Sequence, residues 1–293
     1  MGLRSRTAIT STVLTLFACL SMAIDASSYK KSVEKWRQDY ETKLKGDDDW
    51  LTVAGLFWLH EGENSFGSAP GNAVVLPAPV PAQAGHFDLQ AGKITVHVNP
   101  GASITMGGKA ITTAELRPDS TEDRLVSGDL TFYVHASGKR FAIRLKDKNS
   151  QLRKEFKGLH WYPVNEMYRF NADYVAYPAA RPAEIGIIHG GTTQTYFIGY
   201  ATFLLGGKQY KLDVGEDSPG HLFIVFRDLT SKAETYQAAR FLDADPPKNG
   251  KVELDFNKAY NPPCAYNPYT TCPLPSPGNR LQVAIPAGEK RYH

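Results

Sequence analysis

One segment near the carboxyl end limits the possible folds of this chain more than any other. Residues 255–279 are rich in proline, and these prolines are Pro262, Pro263, Pro268, Pro273, Pro275 and Pro277. Each proline fixes φ and lacks a backbone N–H, so the segment can form neither a helix nor an interior strand of a sheet. Tyr260, Tyr266 and Leu274 lie in the same segment, and such large apolar groups need burial. The sequence therefore predicts an ordered loop across a core, which we call the proline-rich loop.

The chain has the length and composition of a globular protein. Its 293 residues are 42% hydrophobic and 22% charged, which supports one large or two smaller cores. The formal net charge is only +3, and Arg4 and Arg6 in the first residues contribute to it. So small a charge provides no field that would attract nucleic acid or an anionic membrane. We therefore expect no nucleic-acid partner, and no motif in the sequence indicates a cofactor.

Residues 1–23 have the features of a signal peptide. Arg4 and Arg6 form a positive amino-terminal region, an apolar stretch follows, and Ser21-Met22-Ala23 has the small residues that signal peptidase accepts. The apolar stretch is diluted by threonines and is short for a membrane anchor. The sequence predicts export to the periplasm or the medium, with no transmembrane segment in the mature chain. A rough lipobox that ends at Cys19 leaves a lipoprotein as the alternative.

The mature chain is predicted to begin with one helix and to continue as strands. Apolar residues recur at helical spacing after Ser28, a candidate N-cap, and these residues are Tyr29, Val33, Trp36, Tyr40 and Leu44. Gly46 ends this helix. From Trp50 onward, β-rich runs are separated by glycine-containing pairs typical of hairpin turns, namely Gly107-Gly108, Ser137-Gly138 and Gly206-Gly207.

Successive hairpins without a helical pattern between them predict an antiparallel all-β fold. We divide the chain into a signal peptide (1–23), an N-terminal helix and linker (24–49), a β-sandwich (50–150) and a second antiparallel β unit with the proline-rich loop (151–293). Within the second unit, the run 236–242 is expected to pair with the run 251–256. That pairing would bring Arg240 close to the proline-rich loop.

The first β unit has a recognisable order of turns and strands. Asn64-Ser65-Phe66-Gly67-Ser68 precedes a strand at 72–76, Gly85-His86-Phe87 precedes another, and residues 127–132 close the unit. Residues 62–145 thereby resemble the β-sandwich of forkhead-associated domains, which implies the sandwich fold. The resemblance does not extend to phosphothreonine binding, because Ser68 stands where such domains place an arginine, and the S-x-x-H element is absent around His86.

A second resemblance covers most of the mature chain. Its blocks stand in one order, at residues 51–59, 235–236, 240–242, 255–257, 259–265 (AYNPPCA), 271–275 (TCPLP) and 287–290. This array is similar to the domain-of-unknown-function family DUF1684. Gln237-Ala238-Ala239 departs from the glycines expected before Arg240. The resemblance implies no reaction, cofactor or catalytic residue.

Two cysteines, Cys264 and Cys272, remain once the signal peptide is removed. An even pair in an oxidising compartment predicts a disulfide. The alternative is that Cys264 acts as a nucleophile, which would require a thiolate beside a cation or a helix N-terminus. The histidines are scattered without the spacing of metal ligands, so no metal site is predicted.

Three carboxylates are candidates for catalysis, namely Asp228, Asp255 and Glu289. Two of them converging near Tyr260 would supply the acid and the base for glycoside hydrolysis. The alternative is that the two aspartates cap turns and pair with nearby arginines, since aspartate at a strand end most often serves a turn.

A polar and aromatic group accompanies the proline-rich loop, and its members are Tyr236, Arg240, Asn257, Tyr260, Asn261 and Asn279. Aromatic faces cover the apolar faces of sugars, and amides and guanidinium groups provide directional hydrogen bonds. The group therefore predicts a pocket under the loop for a small polar or glycan-like ligand. Two alternatives stay open: a hydrolase that uses the paired carboxylates, and a purely structural envelope protein whose polar side chains satisfy the loop backbone.

Overall fold

The computed structural model describes residues 9–188 and 190–292, with side chains from residue 27 onward. The side chains of the predicted signal peptide, and Cys19 of the lipobox, therefore lie outside the described residues. Three β-sheets and one long helix make up most of the described chain. The predicted all-β fold is confirmed.

A β-sandwich is formed by the first half of the described chain. Its first sheet has six strands, which from edge to edge are β1 (Val53–Trp58), β11 (Arg140–Asp147), β10 (Leu130–Ser137), β9 (Leu125–Ser127), β6 (Thr105–Met106) and β7 (Lys109–Ala110). Its second sheet has five, namely β3 (Val74–Val75), β2 (Gly62–Gly67), β4 (Gly85–Gln90), β5 (Lys93–Val98) and β8 (Thr113–Leu116). Phe66 and Phe87 of the second sheet pack on Phe132 of the first, with ring centroids 6.1 and 6.5 Å apart. The predicted sandwich is therefore confirmed, and its resemblance to forkhead-associated domains stays a prediction.

Strand β11 presents different chemistry on its two faces. Ile143 and Leu145 belong to the sandwich core. Because side chains alternate along a strand, Arg144 and Lys146 point away from that core. Both are nevertheless buried, since other parts of the chain cover this outer face of the sandwich.

The second unit is one six-stranded antiparallel sheet. From edge to edge its strands are β16 (Arg240–Ala244), β15 (His221–Phe226), β14 (Lys208–Ser218), β13 (Thr192–Leu205), β12 (Arg169–Gly186) and β17 (Lys251–Asp255). Apolar side chains of the carboxyl-terminal segment, among them Phe256 and Ile285, complete its core. The turn at Gly206-Gly207 joins β13 to β14 with φ of +59° and +77°, as predicted for a hairpin.

The predicted pairing of the runs 236–242 and 251–256 is wrong. Strands β16 and β17 lie at opposite ends of the strand order, and β17 pairs with β12. Pro246 and Pro247 in the connection lack the N–H donors that a continuing hairpin would need. Strand β16 instead pairs with the proline-rich loop, because Phe241 and Tyr260 exchange backbone hydrogen bonds of 2.8 and 3.0 Å.

Helix α1 (Ile9–Leu44) begins earlier than expected, so Ser28 lies within it and does not cap it. Its end before Gly46 and its buried apolar stripe are as predicted. A second, short helix, α2 (Gln151–Glu155), was not predicted; Ser150 Oγ caps it by accepting from the Arg153 N–H. Among the described residues, no helix has the length and hydropathy required to cross a membrane.

Candidate functional site

A cavity of about 540 Å³ lies where α1, the outer face of the sandwich and the second unit meet. The proline-rich loop forms one of its walls. Trp36 and Tyr40 come from α1, Trp50 and Arg144 from the sandwich, and Tyr260 from the loop. A cavity therefore lies beside the proline-rich loop. Strands β15 and β16 of the second unit add Phe223, Phe241 and Asp243 to its lining, and the rest comes from α1 and the sandwich.

Aromatic rings form one side of this cavity around Tyr260. The Tyr260 ring lies 5.1 Å from Tyr40, 6.5 Å from Trp36 and 5.8 Å from Phe241, measured between centroids. Its hydroxyl donates to Asp243 Oδ1 at 3.1 Å, and burial raises the pKa of the Asp243 carboxyl. Such a group of rings with few polar atoms fits a flat, largely apolar molecule.

A row of hydrogen bonds reaches another part of the cavity lining, at His135 and Thr271. His135 on β10 contacts Asp119 Oδ1 through Nδ1 and Thr271 Oγ1 through Nε2, each at 2.8 Å. Since the Asp119 carboxylate accepts, Nδ1 carries the hydrogen, and Nε2 of the neutral ring accepts from the Thr271 hydroxyl. Although partial burial acts against it, the hydrogen bond from His135 lowers the pKa of Asp119. The row joins the sandwich to the proline-rich loop at the cavity wall.

Arg144 lies next to this row and is only 4% exposed. Its guanidinium carbon is 5.6 Å from the centroid of the Trp50 ring, and Nη2 donates to Thr271 Oγ1 over a long 3.5 Å. Its Nε has no hydrogen-bond partner. The guanidinium of Arg144 therefore lines the cavity with one long hydrogen bond and no ion pair among the described residues.

Comparison with known proteins identifies the second unit. Residues 154–290 match the family described as "Protein of unknown function (DUF1684)". The chain belongs to the DUF1684 family. The match includes the proline-rich loop, whereas residues 51–59, which carry part of the same resemblance, lie outside it.

One solved structure similar to this member of the DUF1684 family is an uncharacterised protein of Haloarcula marismortui, determined by solution NMR. It is 30% identical, the alignment covers 47% of this chain and 78% of that chain, and the TM-score is 0.40. A search of curated proteins finds no match.

Within the DUF1684 region, Arg240 and Asp228 form a buried ion pair. Arg240 is fully buried, and its Nη1 donates to Asp228 Oδ2 at 2.6 Å and to the Ile285 carbonyl at 3.1 Å. Its Nη2 donates to the Ala287 carbonyl. Neither residue lines the cavity, and the guanidinium attaches the carboxyl-terminal segment to β16.

The three asparagines predicted to bind ligand are likewise buried and bonded to the protein. Asn257 Nδ2 donates to the Asn165 carbonyl, Asn261 Nδ2 to the Lys290 carbonyl, and Asn279 Nδ2 to the carbonyls of Asp213 and Val225. Tyr236 is half-buried, and its hydroxyl donates to the Cys264 carbonyl. Their ligand-binding role stays a prediction. The bond from Tyr236 satisfies the backbone of the proline-rich loop, whereas the asparagines bond to the backbone of the segments around the loop.

The other two candidate carboxylates also lie away from the cavity. Asp255 Oδ1 accepts from the Tyr29 hydroxyl of α1 at 2.7 Å. Glu289 accepts from the Asn261 backbone N–H and side-chain amide, each at 2.7 Å, and from the Tyr266 hydroxyl at 2.6 Å. Burial raises the pKa of Glu289 to about 7. Of the residues singled out in the sequence for catalysis or ligand binding, Tyr260 is the one that lines this cavity.

The predicted disulfide is not formed, and Cys264 and Cys272 are free thiols. The Cys264 backbone N–H donates to Cys272 Sγ at 3.3 Å, and Cys272 lines the cavity. The hydrogen bond from the Cys264 thiol lowers the pKa of Cys272, although burial acts in the opposite direction.

The cavity residues that sequence reasoning missed had little signal in the sequence. Asp119 and His135 belong to no motif. Thr271 belongs to the TCPLP block, but that block implied no role for its hydroxyl and lies far from the other two residues in the chain. Arg144 had one available signal, since it interrupts the apolar run of β11 on the face away from the sandwich core. Among the described side chains, no group of three or more histidines, cysteines and carboxylates is placed to hold a metal ion.

Proposed function

We propose that this protein binds a small molecule with a flat, largely apolar face in the cavity beside Tyr260. The observation that carries the proposal is the group of aromatic rings around an open volume of about 540 Å³. This volume lies in the range of small-molecule sites. A glycan-like ligand, as predicted from the sequence, belongs to the same class because sugars present apolar faces to aromatic rings.

The test uses an uncharged fluorescent probe, N-phenyl-1-naphthylamine, whose emission increases in apolar surroundings. Trp36 lines the cavity, whereas the exposed Trp58 on β1 lies outside it. Trp36→Ala should weaken probe binding by about tenfold, because truncation removes a large contact face, and Trp58→Ala should leave it unchanged. Equal effects of the two substitutions, or no saturable binding, would refute the proposal.

Hydrolysis at Thr271 is a second candidate function. The observation that favours it is the row Asp119–His135–Thr271, with both hydrogen bonds at 2.8 Å. Carboxylate, imidazole and hydroxyl in this order are the parts of a nucleophile, its base and the group that orients the base. The earlier alternative, hydrolysis by paired carboxylates, gains no support from the cavity, since Asp228 and Glu289 do not line it.

The step at Thr271 would transfer the acyl group of an ester. Oγ1 attacks the carbonyl carbon while its proton passes to His135 Nε2, and the leaving alcohol departs with that proton. Water then attacks the acyl-enzyme and gives a proton to His135 Nε2. That proton returns to Thr271 Oγ1 as its bond to the acyl group breaks, which releases the acid. Thr271→Val, which keeps the shape and removes the hydroxyl, should abolish turnover of p-nitrophenyl acetate, whereas Thr271→Ser should retain it. Equal rates in both variants would exclude this role.

We also propose that the chain is exported. Support comes from the basic and small residues of 1–23. N-terminal sequencing of protein recovered from the periplasm or medium should begin at Ile24. A mature chain that starts near Met1 would contradict export by a cleaved signal peptide, and an acylated Cys19 would identify a lipoprotein instead.

A further inference from the structure

Arg144 differs from the other buried arginines of the described chain in how its charge is accommodated. Arg37 is 8% exposed, and its two terminal nitrogens donate to the carbonyls of Tyr162 and Asn257 at 2.9 and 3.0 Å. Arg240 has a carboxylate and two carbonyls. Arg144, 4% exposed, has one hydroxyl contact at 3.5 Å and no ion pair among the described residues. A buried cation is normally paired, so this arrangement is incomplete.

The acidic side chains around the cavity form no ion pair with Arg144. The carboxylate nearest in its effect is Asp119, whose pKa the charge of Arg144 helps to lower, but Asp119 is hydrogen-bonded to His135. Asp39 pairs with Lys35 at 2.8 Å, Asp243 accepts from the Tyr260 hydroxyl, and Asp49 accepts from the Trp50 N–H at the start of a short helical turn. Each of these carboxylates therefore already has a partner other than Arg144. The remaining cation of the lining, Lys43, is exposed and adds positive charge.

A second cation on the outer face of β11 is neutralised by the protein itself. Lys146 lies two residues from Arg144 on that face, and its Nζ donates to Asp48 Oδ1 at 2.7 Å and to the Asp48 carbonyl at 2.6 Å. Lys146 does not line the cavity, whereas Arg144 does. The unpaired cation is thus the one that a molecule in the cavity can reach.

We propose that the ligand of this cavity is an anion, with a carboxylate, sulfonate or phosphate group that binds the guanidinium of Arg144. This inference rests on the proposed ligand-binding function and specifies the chemical class of the ligand. The flat body lies among the aromatic rings around Tyr260, and the acidic group lies at the sandwich wall. A guanidinium with free N–H donors in a partly desolvated site is well suited to such groups.

The test compares two probes that share one body. The first is N-phenyl-1-naphthylamine, and the second is 1-anilinonaphthalene-8-sulfonate, which adds an anionic group. Arg144→Met keeps the length of the side chain and removes its charge. Arg140→Met, the matched control, removes an exposed cation of the same strand that packs on Trp58 outside the cavity.

Arg144→Met should weaken binding of the sulfonate probe by about ten- to a hundredfold, the range for a lost charge-assisted hydrogen bond, and leave the uncharged probe unaffected. Arg140→Met should change neither. The melting temperature of Arg144→Met without probe should equal or exceed that of the wild type, because the substitution removes an unpaired buried charge.

The possible results separate this inference from the function on which it rests. Three results would overturn the inference. Unchanged binding of the sulfonate probe in Arg144→Met would mean that Arg144 has no role in binding. An equal loss of both probes, or a variant that is destabilised or does not fold, would mean that its role is structural. If the sulfonate probe binds Arg144→Met unchanged, binding of the uncharged probe would still support the proposed function. Failure of both probes to bind the wild type would refute the proposed function itself.

Discussion

Replacement of Arg240 tests whether the polar residues around the proline-rich loop hold the fold or bind ligand. Arg240→Met would leave Asp228 without its partner in the interior, where the carboxylate side chain is fully buried. Breaking a buried pair in this way costs about 3–5 kcal/mol. Two carbonyls, of Ile285 and Ala287, would also lose a donor. We expect the free energy of unfolding to fall by about 4 kcal/mol, which for a chain of this size lowers the melting temperature by about 10 °C.

Urea unfolding followed by fluorescence measures this loss, and a double substitution serves as the control. Asp228→Asn combined with Arg240→Met removes both charges, so it should recover at least half of the lost stability. The folded fraction of Arg240→Met should still bind N-phenyl-1-naphthylamine, since Arg240 does not line the cavity. Unchanged stability together with lost binding would refute this reasoning and restore Arg240 as a ligand-binding residue.

Three further predictions follow from local features. Because burial raises the pKa of Glu289 to about 7, the folded state retains a proton that the unfolded state releases. The free energy of unfolding should therefore fall by about 3 kcal/mol as the pH rises from about 4.5 to 7, and Glu289→Gln should flatten this dependence in urea titrations. Limiting iodoacetamide should label Cys272 before Cys264, as peptide mass spectrometry would show, since the pKa of Cys272 is lowered; the reverse order would contradict this. Gly207→Ala should destabilise the protein by about 1 kcal/mol in the same unfolding assay, because φ at this turn is +77°; an unchanged midpoint would contradict the strain argument.

Features set by neighbouring residues could be predicted from the sequence. The turn at Gly206-Gly207 needs only two residues that tolerate positive φ, and the buried stripe of α1 follows from helical spacing. The prolines that follow Tyr260 exclude the interior of a sheet, which is consistent with its place in the cavity lining. In each case the deciding interaction lies within a few residues.

Features set by distant parts of the chain could not be predicted. Strand β17 pairs with β12, which lies far earlier in the chain, and not with β16, its neighbour in sequence. Asp119, His135 and Thr271 meet only because the loop lies against the outer face of the sandwich. For Arg240, the sequence offers no way to distinguish a guanidinium that binds backbone carbonyls from one that binds a ligand, since both use the same donors.

The cavity is lined by residues from inside and outside the region that matches the DUF1684 family, and this limits which family members can have the same cavity. The matched region 154–290 contributes Tyr260, Thr271 and Cys272, while Arg144 and the tryptophans of the cavity precede it in the chain. A relative that contained the matched region alone would lack Arg144, Trp36 and Trp50. The cavity described here therefore extends to another member of the family only where that member supplies these residues as well.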